Sequence, residues 1–269
     1  MFVVSLIFVC TLSLPLVMPS ALCQRRYTFF MAWWGKKKGA GKPPRTVSAR
    51  TLDTVTSRVD VGSLAPPVAD YVAMAAALQL TLAGELAAAS REAWSSEDAD
   101  DLIVSSGMAM DRYREFREIL ADYVEDVSHA LAEPREKISR HFERFASPRW
   151  YEDVATAYVV TGFARDFWHL LATGLPPAMT TKIQDIIADR GDEEMMARVL
   201  ERLLAVDTRY TSRLSLWCRR LVGDTMLLCR DAIAAGQSQA PETEVRLEPV
   251  FTDVVAHHTR RLDRLGLIA

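Results

Sequence analysis

The chain has 269 residues, of which 49% are hydrophobic and 25% charged, and its formal net charge is -3. This composition can bury a sizeable core and excludes an intrinsically disordered chain. The slightly acidic balance argues against a protein that coats nucleic acid through bulk positive charge. Alternating runs rich in Val or Thr are scarce, and most of the abundant residues are good helix formers, so the sequence predicts an all-α fold.

Residues 1–30 form a strongly apolar segment that has three interpretations. The segment could be a signal peptide, a membrane anchor followed by two arginines, or translated sequence upstream of a true start at Met31. A signal peptide normally carries a basic residue before its apolar run, and none is present here. Pro15 and Pro19 also interrupt a potential spanning helix. We therefore favour a start at Met31 and expect a cytoplasmic protein, whereas a retained segment would attach the chain to a membrane.

Residues 31–65 are expected to form a basic tail and a polar linker ahead of a helical domain at 66–269. The tail contains AWWGKKKGAGKPPR, which combines lysines with two tryptophans. Such a tail could touch a membrane surface or RNA, although tails of this kind are more commonly just solvated.

Four long helices are predicted in the domain from the spacing of apolar residues. They are helix A at about 67–94, helix B at about 95–133, helix C at about 147–171 and helix D at about 211–235. Pro134 should end helix B, because the residue before a proline avoids the helical conformation. Shorter helices are expected at about 135–145, at 178–206 with a break near Gly191, and at about 248–265. The prediction is a four-helix bundle with short helices in the connections and a C-terminal helix.

Helix C is apolar nearly all round, as expected for a central element. The inward stripe predicted for helix B is Ile103, Met110, Tyr113, Phe116, Leu120, Val124, Val127 and Leu131. Cys218 and Cys229 lie 11 residues apart on helix D, too far for a disulfide within one helix, and are expected to be buried free thiols.

Several segments resemble a family of ferritin-like proteins from high-GC (actinobacterial) bacteria. They include WWGKKK, WYEDVATAYVVTGFARDFW, LATGLP, LSLWCRRLVGDTML and HTRRLDRLGL. The family is distantly related to the tRNA isopentenyl-adenosine hydroxylases, which use two irons and dioxygen. The resemblance therefore implies a ferritin-like four-helix bundle, and it raises the question of a di-iron site.

Four residues could contribute to such a site. A di-iron bundle takes a Glu from each of two helices and a Glu-x-x-His pair from each of the other two. Glu85 on helix A and Asp224 on helix D lie on apolar stripes, and Asp166 and His169 on helix C have the required three-residue spacing. Glu85 could equally be paired with an arginine such as Arg220, since a lone buried carboxylate is costly.

Helix B supplies no ligand in this pattern, because Met110 and Tyr113 occupy its inward pair. We therefore expect an incomplete or lost di-iron site and no cofactor, with iron as the alternative. His257 and His258 on the last helix could be metal ligands. A histidine placed like His258 on an amphipathic helix is more commonly a core residue. A basic cluster of Arg260, Arg261 and Arg264 could grip tRNA phosphates, although helix-end charges and surface ion pairs are the commoner explanation.

Three functional hypotheses follow. The first is a binding or structural module that self-associates through a helix face. The second is an oxygen-dependent di-iron hydroxylase related to the tRNA-modifying enzymes, with Glu85, Asp166, His169 and Asp224 as ligands. The third is an envelope protein anchored through residues 1–30.

Overall fold

The structure is a computed structural model that describes residues 64–234 and 241–268, with the side chains of 231, 232, 234 and 241–250 left out. The predictions for residues 1–63 lie outside these ranges. Within them the regular structure consists of eight α-helices: α1 (Val68–Glu92), α2 (Ser96–Ala121), α3 (Val127–Glu143), α4 (Trp150–Ala172), α5 (Pro177–Ala188), α6 (Gly191–Val206), α7 (Thr208–Ala234) and α8 (Pro241–Arg264). The predicted all-α fold is confirmed.

Helix α4 is the centre of the domain. It packs against α1, α5, α6, α7 and α8, and most of its side chains are buried. Helix α1 forms an antiparallel hairpin with α2 and also contacts α3. Two groups of four helices therefore share α1 and α4: α1, α2, α6 and α4 surround one part of the core, and α1, α3, α7 and α4 surround the other. The prediction that helix C is the central element is confirmed.

The predicted extent of helix B is wrong. Helix α2 ends at Ala121, and a new helix, α3, begins at Val127 and continues through Pro134. Its start is stabilised by Asp126, whose carboxylate accepts hydrogen bonds from the backbone N–H groups of the second and third residues that follow it. Because α3 packs against α1, tertiary contacts compensate for the backbone hydrogen bond that the proline removes.

Part of the inward face of α2 is shifted by one position from the predicted stripe, whereas Phe116 and Leu120 are buried as predicted. The buried positions include Leu102, Ala109, Arg112, Phe116 and Ile119, whereas Ile103 is 49% exposed and Met110 and Tyr113 are only partly buried. The apolar spacing alone does not identify this face, because one of its inward positions is an arginine. The inward position of α2 is therefore occupied by a positive charge.

Helix α1 is long and apolar enough to cross a bilayer by length and composition alone. Its mean hydropathy over an 18-residue window is 1.5, and 61% of that window is buried inside the domain. The central helix of a folded domain meets the same criterion, so the localisation stays a prediction.

On α7, Cys218 and Cys229 are buried free thiols as predicted, and burial raises the pKa of each to about 12.

Candidate functional site

Six charged side chains form a buried network among α2, α4, α6 and α8. The network comprises three arginines and three acids: Arg112, Arg165, Arg261, Asp166, Asp192 and Glu193. None of these side chains is more than 9% exposed. Charges are rarely this deep unless they are paired, and here positive and negative groups are equal in number.

Arg112 and Arg165 hold the centre of this network. The two Nη groups of Arg112 donate to both carboxylate oxygens of Asp192, at 2.6 and 3.0 Å, and Nη2 also donates to the backbone carbonyl of Asp189 at 2.8 Å. Arg165 bridges two acids, donating to Asp192 at 2.8 Å and to Glu193 at 2.7 Å. These are short charge-assisted bonds, and the bidentate contact also fixes the orientation of the guanidinium.

Arg261 joins the network from α8. Its Nε donates to Glu193 at 2.9 Å and its Nη2 donates to Asp166 at 2.5 Å. Its Nη1 is buried, and no side chain or backbone group that the structure describes bonds to it. The guanidinium lies against Gly162 on α4, where a Cβ atom would come within 2.9 Å of Nε. Glycine at this position is what allows the arginine to approach the helix so closely.

The two α6 acids stand in the first turn of their helix, where the partial positive charge of the helix N-terminus favours carboxylates. Burial alone would raise the pKa of Asp192, but the hydrogen bonds and charges of Arg112 and Arg165 outweigh burial and lower it. Asp192 is therefore an ionised carboxylate at neutral pH. Its lone pairs are directed to guanidinium groups.

Of the four residues proposed as metal ligands, Asp166 and His169 line one cleft. Asp166 is bound to Arg261, whereas His169 is exposed to solvent. His257 also approaches Asp166, with Nδ1 at 3.4 Å from the carboxylate.

Glu85 is half-buried on α1, and burial raises its pKa. Its charge acts on Asp153 of α4, whose pKa is raised to about 6 mainly by burial, with Glu85 and Glu152 adding to the effect. The alternative ion pair between Glu85 and Arg220 is not formed, and the Arg220 guanidinium lies 5.7 Å from the ring centroid of Trp217.

Asp224 lies near His141 of α3, in a different part of the domain. Burial lowers the pKa of His141 to about 4 although the Asp224 carboxylate opposes this shift, so the imidazole is neutral at pH 7. The last helix has a second buried imidazole, His258, whose ring packs 5.1 Å from that of Phe163 as predicted for a core residue.

The residues present do not fit a di-iron centre. Among the described side chains there is no group of three or more His, Cys, Asp or Glu residues that could hold a metal ion. The acids that do converge, Asp166, Asp192 and Glu193, are each bonded to at least one buried arginine. Whether Glu85, Asp166, His169 and Asp224 bind metal at all stays a prediction.

Sequence reasoning missed most of this network. Arg165 is not among the candidate residues, and the acids of α6 lie in one of the short helices predicted for the connections. One signal was available on α2, where Arg112 continues the spacing of Leu102, Ala109 and Phe116. No comparable signal marks its partner Asp192, because acids in a first helical turn are common on surfaces.

A cleft opens beside the network, between α8, α4 and the start of α6. Its volume is about 580 Å³, and it is lined by Asp166, Arg190, His257, Arg260, Arg261, Asp263 and Arg264. A neighbouring cleft of about 460 Å³ shares Asp166, Arg190 and His257 with it and extends along α4 and α5. The buried network thus lies directly beneath an open surface that could hold a ligand.

Comparisons with known proteins agree with this helical architecture. Residues 64–238, well over half of the chain, match the model of a protein family described as a ferritin-like domain of actinomycetes. A comparison with curated proteins gives no match. The relationship to the tRNA hydroxylases is not supported by these comparisons and stays a prediction. By the extent of the family match, the chain belongs to the ferritin-like domain family of actinomycetes.

Proposed function

We propose that this protein is a ferritin-like binding module whose core is organised by ion pairs instead of a di-iron centre. One observation carries the proposal: the acids that converge between α2, α4, α6 and α8 are bound by three buried arginines. In a di-iron protein the inward acids direct their lone pairs at the metals. Here the carboxylate oxygens of the inward acids accept hydrogen bonds from guanidinium groups.

Charge balance supports the same conclusion. Two iron ions brought beside Arg112, Arg165 and Arg261 would face three fixed positive charges in a region with little water. Repulsion between like charges is strong where the surroundings are poorly polarisable. Each acid already accepts hydrogen bonds from at least one buried arginine, so iron would have to compete with guanidinium groups for the carboxylate oxygens.

The hydroxylase hypothesis requires Glu85, Asp166, His169 and Asp224 to converge, and no observation favours it over the binding module. The envelope hypothesis depends on residues 1–30, which lie outside the described residues.

Self-association through a helix face remains part of our proposal. Helix α7 exposes 64% of Leu216 and 50% of Leu227, and a spacing of 11 residues places both on the same side of the helix.

Metal content tests the proposal directly. The chain would be expressed with added iron, purified without an affinity tag and analysed by elemental mass spectrometry. We expect iron far below one ion per chain, and a thermal midpoint that a chelator does not change. About two irons per chain, lost in the Glu85→Ala and Asp224→Ala variants, would overturn the proposal and establish a di-iron protein. Gly223→Ala, on the exposed side of α7, is the control variant that should alter neither result.

Light scattering tests the self-association part separately. We expect a defined oligomer whose mass falls to that of one chain in a Leu216→Lys and Leu227→Lys double variant, because two charges would have to be buried at the contact. A wild-type chain that is monomeric across the concentrations of the metal assay would contradict this part alone.

A further inference from the structure

The cleft lined by Arg190, Arg260, Arg261 and Arg264, here called the basic cleft, has an excess of positive charge. Four arginines and His257 line it, against two aspartates. Arg190, Arg260 and Arg264 are exposed and form no ion pair with any described residue. Several other surface arginines of this domain do have such partners: Arg114, Arg140, Arg198 and Arg209 each pair with an acid. A concentration of unpaired guanidiniums at the mouth of a cleft attracts anions.

The buried side of the basic cleft contains an unused hydrogen-bond donor. The Arg261 side chain is only 4% exposed, and two of its three nitrogens are bonded to Glu193 and Asp166. The third, Nη1, has no hydrogen-bond partner among the described residues. Buried donors are satisfied in most proteins because an unpaired one is costly. Nη1 is itself buried, so a ligand acceptor would reach it only where the side chains that cover it give way.

The neighbouring cleft has a different character. Leu170, Ile187 and Val254 give it an apolar floor, while Gln184, Asp185 and Asp253 place hydrogen-bond acceptors around it. Such a lining suits an organic group with hydroxyl or amino substituents, and it would repel a second phosphate. The two clefts share Asp166, Arg190 and His257, so one ligand can extend across both. Each volume lies within the range of small-molecule sites.

We propose that the two clefts together bind a small phosphomonoester, with its phosphate group at the basic cleft and its polar organic group at the neighbouring one. Arg260 and Arg264 lie one turn apart on α8 and would hold the phosphate oxygens from the same side, while Arg190 approaches from the start of α6. This inference rests on the proposed binding function and names the class of ligand.

An extended RNA backbone is the competing occupant. It would follow a continuous positive surface, whereas the cleft next to the basic cleft is lined by the carboxylates of Asp185 and Asp253. A ligand with one phosphate and a neutral polar part avoids these two negative charges. The geometry therefore favours a small molecule with a single charged end.

Titration calorimetry with AMP, inorganic phosphate and adenosine tests the proposal on the full chain. We expect AMP to bind saturably, phosphate to bind more weakly, and adenosine not to bind measurably. An Arg260→Ser and Arg264→Ser double variant should lose at least about tenfold in AMP affinity, since two charge-assisted contacts disappear. Asp263→Asn should tighten binding, because a nearby negative charge is removed.

The matched control is an Arg117→Ser and Arg219→Ser double variant. It removes two exposed arginines of α2 and α7 that form no ion pair within the described part of the chain and line neither cleft, and it should leave the affinity unchanged. Absence of AMP and phosphate binding would overturn the proposal, as would an equal loss in both double variants. Tight binding of a single-stranded RNA that AMP does not displace would assign the surface to RNA instead. Each of these failures leaves the iron content unchanged, so it is distinct from failure of the proposed function.

Discussion

Replacing Arg165 with methionine tests the description of the core as a balanced ion-pair network. The side chain is 6% exposed and bonds to both Asp192 and Glu193. Methionine fills a similar volume but leaves one more negative than positive charge in the network. Removing one partner of a buried ion pair costs about 3–5 kcal/mol, because the remaining charge stays buried without compensation. In a domain of this size, that loss corresponds to a lowering of the thermal midpoint by roughly 10 °C.

A second substitution that restores the charge balance should recover much of this loss. Adding Glu193→Gln to Arg165→Met leaves the pairs Arg112–Asp192 and Arg261–Asp166, each of which is neutral as a unit. The glutamine carbonyl can still accept a hydrogen bond from Arg261. We expect the double variant to be about 1–2 kcal/mol less stable than the wild type, a loss due to missing hydrogen bonds.

Urea denaturation followed by circular dichroism and tryptophan fluorescence measures both effects, and coincident transitions would justify a two-state analysis. Arg198→Met is the control, because this arginine is 48% exposed and pairs with Asp101 at the surface. It should cost less than about 1 kcal/mol. A loss below that value for Arg165→Met would refute the reasoning. So would a double variant as unstable as the sum of the two single ones, since coupling is the signature of a shared network.

Two further predictions concern neighbouring positions. Gly162→Ala should destabilise the domain by about 1–2 kcal/mol, because the added Cβ would lie 2.9 Å from Nε of Arg261. The control Gly223→Ala places its Cβ where no described atom lies within 4 Å, so it should stabilise the domain by about 0.5–1 kcal/mol. Equal effects of the two variants in thermal melts would contradict the close approach of Arg261. Asp153→Asn should stabilise the domain above about pH 6. Because the folded pKa of Asp153 is about 6 and its ordinary value is 3.8, the folded state binds the proton more tightly, and wild-type stability falls as the pH rises through this interval. The gain in the variant should reach about 1 kcal/mol at pH 8 after allowance for partial exposure, and it should vanish near pH 4. A gain that is independent of pH would show that the charge of Asp153 is not its cause.

The sequence by itself determined the helical class of this domain and most of its helix boundaries. Alanine and leucine at helical spacing predict helices wherever they recur, and α4 was recognised as central because it is apolar on nearly every side. The boundary near Pro134 was misplaced because the stability of α3 comes from packing against α1 and from the Asp126 cap. A local rule about proline does not contain that packing information.

The candidate site was decided by tertiary structure. Arg112, Arg165 and Arg261 are separated from their acidic partners by 27 to 95 positions and resemble surface residues in the sequence. Burial converts them into one network, because an arginine is stable inside a protein only where carboxylates from other helices reach it. Helix periodicity shows which residues face inward on each helix, but it does not show which charges meet there. That depends on how α2, α4, α6 and α8 pack together, and their packing is set by contacts far apart along the chain.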